Sequence, residues 1–502
     1  MRSYDYIVVG SGVAGLTVSR ILALFGNRVL LLEKASYLGG SAKRFRLGGV
    51  PFDVGFHFTG GFSSDGTGVL DEMLKLLGVR ERIKPIYYPR DACHEIVFPT
   101  QNVRYVVPCG VEILRDQLKR DFPTGAVGID RYFRRFCKVV ADTPTLRVAG
   151  FDQMPPILDE DGISLQSVLD ECIPDPLVQA ILSGFCMCYG TRPDEVSFAT
   201  HSRISSGLHE SLARVQDGGQ ALVDALTEGL RNSGVEIQTA TAISACTDIK
   251  DRKATRFVLT DGSEVTAKAC VFTIHPQQIL QTLPQEHLHK AFRDRAAEFE
   301  PSVAFFTLFG QLDGLPQDHI APITSIFPGL DINAMLTCRT PIPVDGPLVV
   351  LRSVEQTAAG AVETVSALEV AFAQWTEQWA NSSVGKRPAQ YYQYKRDRVD
   401  SIVRRIGTSM PECAGRMRVM DSASTLTFRD YLNSPDGAAY GIKQTLGQFN
   451  VSGRLPITNV YAAGQCALLP GIIGAMTSAF LVSRSLLGRD AFTTFLSSIR
   501  CR

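Results

Sequence analysis

The apolar run Tyr6–Val9 is short and unbroken, and it stops at Gly10-Ser11-Gly12-Val13-Ala14-Gly15. That pattern predicts a buried strand feeding a glycine turn. An apolar helical stretch follows and ends at Gly26. A second strand is expected over Arg28–Leu32, and it delivers Glu33 ahead of Gly39-Gly40. Next come short apolar pieces, Phe45–Leu47, Phe52–Val54 and Phe56–Phe58, in a glycine-rich connection, then a short amphipathic helix over Asp71–Leu77. Between Tyr87 and Pro108 the residues alternate as β-hairpins do. Gly110–Phe122, Ala126–Ala141 and Ser164–Leu182 predict helices, the first two basic and amphipathic. A helix over Ala221–Ser233 ends near Gly234, and alternating runs flank the hairpin turn Asp261-Gly262. Glu363–Ala380 reads as a long helix with Trp375 and Trp379 on one face, packed into a core. Near the end, a strand over Asn459–Ala463 runs into Gly464, a Pro470-Gly471 turn and a helix starting near Gly471–Gly474.

The opening strand–helix–strand has the chemistry of a dinucleotide site. Gly10 permits the tight turn out of the strand, Gly12 has no side chain to block a pyrophosphate, and Gly15 lets helix and sheet approach closely. The helix N-terminus presents unpaired N–H groups and partial positive charge to phosphates. Glu33 ends the second strand, where its carboxylate is placed to accept ribose hydroxyls; an acid there repels a 2′-phosphate and argues against NADP. The motif alone does not separate NAD from FAD.

Composition narrows the class. At 502 residues two or more domains are expected. Lys+Arg and Asp+Glu both number 51, so nothing in the charge balance suggests nucleic acid or purely electrostatic attachment to lipid. The first strand begins too early to leave room for a signal peptide, which predicts a cytoplasmic protein. The uncharged run Val460–Ser483 has the length of a membrane span, but Gly464, Gln465, Pro470, Gly471 and Gly474 interrupt it. Cys501 is second to last, so no C-terminal prenylation box is expected. The 12 cysteines show no CxxC spacing and read as buried reduced thiols; no metal cluster is expected.

Together these stretches resemble the FAD-dependent amine oxidase/phytoene desaturase superfamily. The similarity is greatest to its branch of carotenoid desaturases, carotenoid isomerases and retinol saturases. Four segments carry the resemblance: Gly10/Gly12/Gly15 with Glu33 and Gly39-Gly40; Phe52–Gly61, similar to an Asp-x-Gly-x-His segment; Gly437-Ala438-Ala439-Tyr440-Gly441, similar to a Gly-x-x-Tyr-Gly turn; and Ala462–Ala479, similar to a C-terminal flavin motif. Gln465 departs from the Asp or Glu usual after that motif's glycine and leans toward the saturase/isomerase side.

The resemblance implies an α/β fold with a Rossmann-like FAD-binding domain of the GR2 type, assembled from 1–80, 206–285 and 425–502. A mixed α+β substrate domain takes 81–205 and 286–424. It implies FAD contacts at Gly10, Gly12, Val13, Ala14, Gly15, Glu33, Lys34, Gly40 and Ser41. Lys43 or Arg44 would reach a phosphate or the pyrimidine edge. Ile243 would meet adenine, Gly464 and Gln465 the ribityl chain, and Ile473, Gly474 and Ala475 the flavin N1–C2=O edge. The reaction implied is saturation, desaturation or cis–trans isomerisation of carbon–carbon bonds in a long apolar, polyene- or isoprenoid-like substrate. The electron partner is left open, and peripheral contact with a membrane is expected. His57 is either a proton donor or a histidine fixed by backbone hydrogen bonds. Tyr440 is either a pocket residue or a packed turn tyrosine, and Asp53 reads as structural, holding backbone N–H groups. Flavin amine oxidation and a non-catalytic flavin-binding role are the competing readings.

Overall fold

The computed structural model describes residues 1–314 and 321–498. Cys501 and the expectation attached to it lie outside the described residues.

One sheet gathers the start, middle and end of the chain. Arg2–Val9 pairs in parallel with Val29–Leu32 on one side and Glu264–Phe272 on the other. Glu236–Gln238 continues the sheet beyond Val29–Leu32, and Val460–Ala462 adds in parallel to Glu264–Phe272. The antiparallel hairpin Ile243–Lys250/Lys253–Leu259 also joins Glu264–Phe272, across the Asp261-Gly262 turn. Both faces are covered, which is why Val29–Leu32 is an unbroken apolar run. Val8, Leu31 and Val271 face the helices Val13–Leu24, Gly218–Asn232 and Gly471–Leu487. Ile7, Val9, Leu30 and Leu32 face the opposite side, packing with Phe257, Phe272 and Ile279.

The second sheet has seven strands in the order Met417–Ala423, Ala304–Leu312, Gly360–Ala371, Leu348–Thr357, Ile323–Ile326, His94–Phe98, Val103–Val107. Among its described residues only the pairing of Ile323–Ile326 with His94–Phe98 is parallel. Phe306, Leu308, Val350 and Val365 pack toward the Ala389–Ser409 helix. Phe305, Val349, Leu351 and Val370 pack toward Ala126–Ala141, Leu165–Cys172 and Phe198–Glu210.

Two sequence expectations are corrected. Glu363–Ala380 is not a helix: it is the strand Gly360–Ala371 followed by two 3-10 turns, Ala373–Trp375 and Glu377–Trp379. The strand is hydrogen-bonded on both sides, to Ala304–Leu312 and Leu348–Thr357, so sheet pairing overrides the helix-forming composition. Trp375 and Trp379 still pack into one core, with the Trp375 Nε1 donating to the Thr340 carbonyl at 3.1 Å. Ser164–Leu182 is two helices, Leu165–Cys172 and Pro176–Ser183, because Pro174 interrupts the ladder and Asp175 caps the second helix through the Leu177 N–H.

The Val460–Ser483 run divides into a strand and the start of the Gly471–Leu487 helix. Among the described residues no helix is long and apolar enough to cross a membrane. The eleven described cysteines are free, and most are buried.

Candidate functional site

The Gly10–Gly15 turn is built by close backbone contact. Gly10 takes a φ of +99°, and a Cβ on Gly15 would stand 1.9 Å from the Gly10 carbonyl oxygen. Gly12 is different: a Cβ there would meet nothing within 4 Å, so this residue faces open space in front of the Val13–Leu24 helix. The helix begins with the Leu16 N–H donating to the Gly12 carbonyl, which leaves the N–H groups of Val13, Ala14 and Gly15 at its free end. Ser11 ties the next pieces in. Glu33 Oε2 accepts from the Ser11 N–H at 2.9 Å and from Ser11 Oγ at 2.6 Å, and Glu33 Oε1 accepts from the Ala35 N–H at 2.8 Å. Those three bonds orient the carboxylate and leave acceptor capacity unused. The Gly39 N–H donates to the Ser11 carbonyl, and Gly40 lies against the Gly12 backbone.

Of the two basic candidates, Arg44 is committed elsewhere. Its guanidinium holds Asp53 at 2.8 Å and Glu355 at 2.8 Å, and all three side chains are buried or nearly so. Asp53 therefore anchors an ion pair as well as a backbone N–H, that of Gly219. Burial pushes the Asp53 carboxyl up to about 6 against the pull of Arg44. Lys43 lies over the Tyr37 ring, 3.2 Å from its centroid, and burial lowers its ammonium to about 8. Lys34 is exposed. Ile243 opens its strand two residues after Thr241, whose N–H donates to the Glu33 carbonyl.

The chain's end completes the same site. Gly464 takes a φ of +112°, and its N–H donates to Ser478 Oγ, tying the turn to the Gly471–Leu487 helix. Gln465 is half-buried, and the Gly437–Gly441 turn packs on it: a Cβ on Gly441 would lie 2.3 Å from Cys466 Sγ and 3.7 Å from Gln465 Nε2. Gly471, at the helix start, faces open space, whereas a Cβ on Gly474 would collide with the Leu469 carbonyl at 2.2 Å. The helix brings Ile473, Gly474 and Ala475 to its first turn and packs against Val13–Leu24. Two helix N-termini with open glycines before them form a cradle whose donors suit a dinucleotide's phosphates and an electron-rich ring edge.

A cavity of about 790 Å³ adjoins this cradle. Its lining includes Gly55–Gly61 and Leu468–Gly474, Val349, Leu351 and Leu368 from the second sheet, and Tyr440. His57 lines it, and its Nε2 is buried without a hydrogen-bond partner, so backbone bonding does not fix that nitrogen. Burial, helped by the charge of Arg44, lowers the imidazole to about 4, which keeps it neutral at pH 7. Burial raises the Tyr440 phenol well above its ordinary value, so it stays protonated; its ring packs edge-on to Phe305. Sequence reasoning missed the wall residues and Gln444. Val349 and Leu351 sit in an all-apolar run, and nothing in the spacing marks Gln444.

The family model described as an NAD(P)-binding Rossmann-like domain matches residues 8–74. Over 97% of its length the chain is 24% identical to the all-trans-retinol 13,14-reductase of Homo sapiens, covering 86% of that protein. The similarity to retinol 13,14-reductases thus runs almost end to end. A prolycopene isomerase of Daucus carota is 24% identical over 53% of this chain and 45% of its own. Among solved structures, a putrescine oxidase variant superposes with a TM-score of 0.67 at 13% identity, covering 98% of this chain and 99% of its own. That likeness establishes the shared Rossmann-like α/β fold.

Proposed function

We propose that the protein is an FAD-dependent oxidoreductase acting on the carbon–carbon double bonds of a long apolar, polyene- or isoprenoid-like substrate, by saturation, desaturation or isomerisation. The observation that carries this is that one cavity is lined both by the start of the Gly471–Leu487 helix and by apolar strand residues of the second sheet. It occurs in a chain similar almost end to end to retinol 13,14-reductases.

In this reading residues 1–80, 206–285 and 425–502 form the FAD-binding domain, and 81–205 and 286–424 the substrate domain. Gly10, Gly12, Val13, Ala14 and Gly15 take the pyrophosphate, with Gly40, Ser41 and Lys43 beside it. Glu33 takes the ribose, Ile243 the adenine, and Gly464 and Gln465 the ribityl chain. The first turn of the Gly471–Leu487 helix faces the ring, where its partial positive charge favours developing negative charge. When bound, the flavin supplies two-electron exchange with carbon. The protein's own part is to exclude water with Val349, Leu351 and Leu368 and to hold His57 and Tyr440 as neutral hydrogen-bonding groups at the reacting end. Such a substrate partitions into lipid, so we place the enzyme in the cytoplasm, peripheral to a membrane.

The test is to incubate the purified yellow protein with retinoid, carotenoid and unsaturated fatty-acid panels, with and without oxygen, and weigh the products. A gain of two hydrogens, a loss of two, or an unchanged mass with altered geometry identifies the reaction. Peroxide release with amines and silence toward polyenes overturns the proposal. Recovery of all protein in the supernatant of a detergent-free fractionation overturns its membrane part.

A further inference from the structure

Adding hydrogen across a carbon–carbon double bond breaks the π pair and forms two C–H bonds. One hydrogen arrives as a hydride, supplied by the reduced flavin, and the other as a proton. Removing hydrogen runs the same steps backwards. Either way, a group on the cavity lining has to carry the proton.

Apart from arginines, which do not release a proton, the groups on the lining that titrate are His57, Cys188, Tyr440, Glu72, Asp161 and Glu210. Burial lowers the His57 imidazole to about 4, so at pH 7 the ring has no charged form to give, and its Nε2 is sealed off. The Cys188 thiol is a weak hydrogen-bond donor, ill suited to directing a proton. Asp161 is engaged through both oxygens by Arg203, at 2.5 and 2.9 Å. Glu72 and Glu210 sit on the Val69–Leu76 and Phe198–Glu210 helices, neither of which belongs to the glycine cradle.

Tyr440 differs on each count. Its turn packs on the cradle through Gly441, which lies against Cys466 and Gln465. The backbone is pinned on both sides of the residue. The Tyr440 N–H donates to Ser302 Oγ at 3.0 Å, the Ala439 N–H to the Val303 carbonyl at 3.0 Å, and the Ser302 N–H to the Gly441 carbonyl at 2.8 Å. The ring leans edge-on against Phe305. The side chain is therefore held in place by packing and by its backbone. Its Oη makes no hydrogen bond to any described residue, yet it is not sealed off as His57 Nε2 is. We propose that Tyr440 Oη carries the proton exchanged with the substrate's double-bond carbon: its O–H bond breaks as the C–H bond forms, and water restores the phenol. This rests on reading the cavity as the substrate site.

The experiment uses flavin-loaded protein labelled with fluorotyrosine and two probes, all-trans-retinol and β-carotene. Tyr440→Phe removes an oxygen that bonds to no described residue, so the variant is expected to fold, load flavin and melt as the wild type does. The fluorine resonance missing from the variant identifies Tyr440, and in the wild type that resonance is expected to shift when a probe binds. Turnover of a converted probe is expected to fall about 100-fold or more in Tyr440→Phe with KM unchanged, a split that a merely structural role would not give. A resonance that stays in place with both probes, or a variant that turns over as fast as wild type, overturns the proposal and leaves the polyene reading standing. Conversion of neither probe by the wild type overturns the polyene reading and the proposal together.

Discussion

Gly15 lies so close to Gly10 that a Cβ on Gly15 would sit 1.9 Å from the Gly10 carbonyl oxygen, while a Cβ on Gly12, midway between them, would touch nothing. The two positions are therefore constrained by different things. Gly15 is required by the packing of helix on strand, Gly12 by the space in front of the helix. Gly15→Ala forces the turn apart and is expected to cost about 4 kcal/mol or more, the range of severe backbone and core lesions. Gly12→Val is expected to fold with near-normal thermal stability in the flavin-free state and to purify colourless. Thermal melts by circular dichroism and the visible absorbance of bound flavin separate the two. A yellow Gly12→Val protein contradicts the placement of the pyrophosphate.

The interior histidines predict an acid limit to stability. Burial lowers His94 and His201 from 6.5 to about 3, with His209 contributing, and lowers His209 and His57 to about 4. His201 Nδ1 shares a hydrogen bond with the Tyr189 hydroxyl at 2.8 Å, and His94 Nε2 one with Ser325 Oγ at 2.8 Å. Such a histidine takes its proton more readily once unfolded. Its contribution is thus fully present above pH 6.5 and is lost as pH falls from 6.5 toward 4. Each group contributes a slope of up to about 1.4 kcal/mol per pH unit within that window. Urea denaturation at a series of pH values is expected to show this fall, and His209→Gln to flatten it by about one proton. A level profile from pH 6.5 to 4.5 contradicts the burial of these neutral rings.

Much of the glycine turn and its neighbours was legible because it is local. Strand, glycine spacing, helix and Glu33 all fall within the first forty residues, and each reports a backbone requirement that sequence records directly. The second sheet was less legible. Glu363 and Glu369 look like solvated helix positions in a run rich in Ala, Val and Leu, yet they are 1% and 0% exposed. Their compensation comes from afar: Arg352 from the neighbouring strand, Arg398 and Arg405 from the Ala389–Ser409 helix. A buried charge matched by a distant partner leaves no mark on its own segment. The same holds for Arg44, expected near a phosphate and found bound to Glu355, more than three hundred residues away.

That ion cluster gives a third prediction. Arg44 stands between Asp53 and Glu355, and Glu355 is also held by Arg214 at 3.1 Å. Arg44→Met leaves Asp53 buried without a cation and is expected to cost about 3–5 kcal/mol. Arg44→Met combined with Asp53→Leu is expected to recover part of the loss, because both charges are gone and Arg214 still serves Glu355. Guanidinium denaturation of the two variants measures this. A double variant no more stable than the single one shows that the position needs the charge itself.

Leu368 tests which wall the substrate uses. It is half-buried on the Gly360–Ala371 strand of the second sheet and lines the cavity. A larger ring there has the cavity to fill, so Leu368→Trp should escape most of the about 1–3 kcal/mol that overpacking a closed core costs. The expected protein is folded and yellow, with flavin affinity unchanged, because no cradle residue moves. Its binding of long polyenes is expected to fall at least about tenfold, the loss of one well-filled apolar contact region. Short unsaturated alcohols that do not reach the second sheet are expected to bind as before. Titrating both chain lengths against the flavin spectrum gives the answer. If long chains bind Leu368→Trp as well as wild type, the substrate leaves the cradle by another side of the cavity, and the Val349–Leu351–Leu368 wall is packing alone.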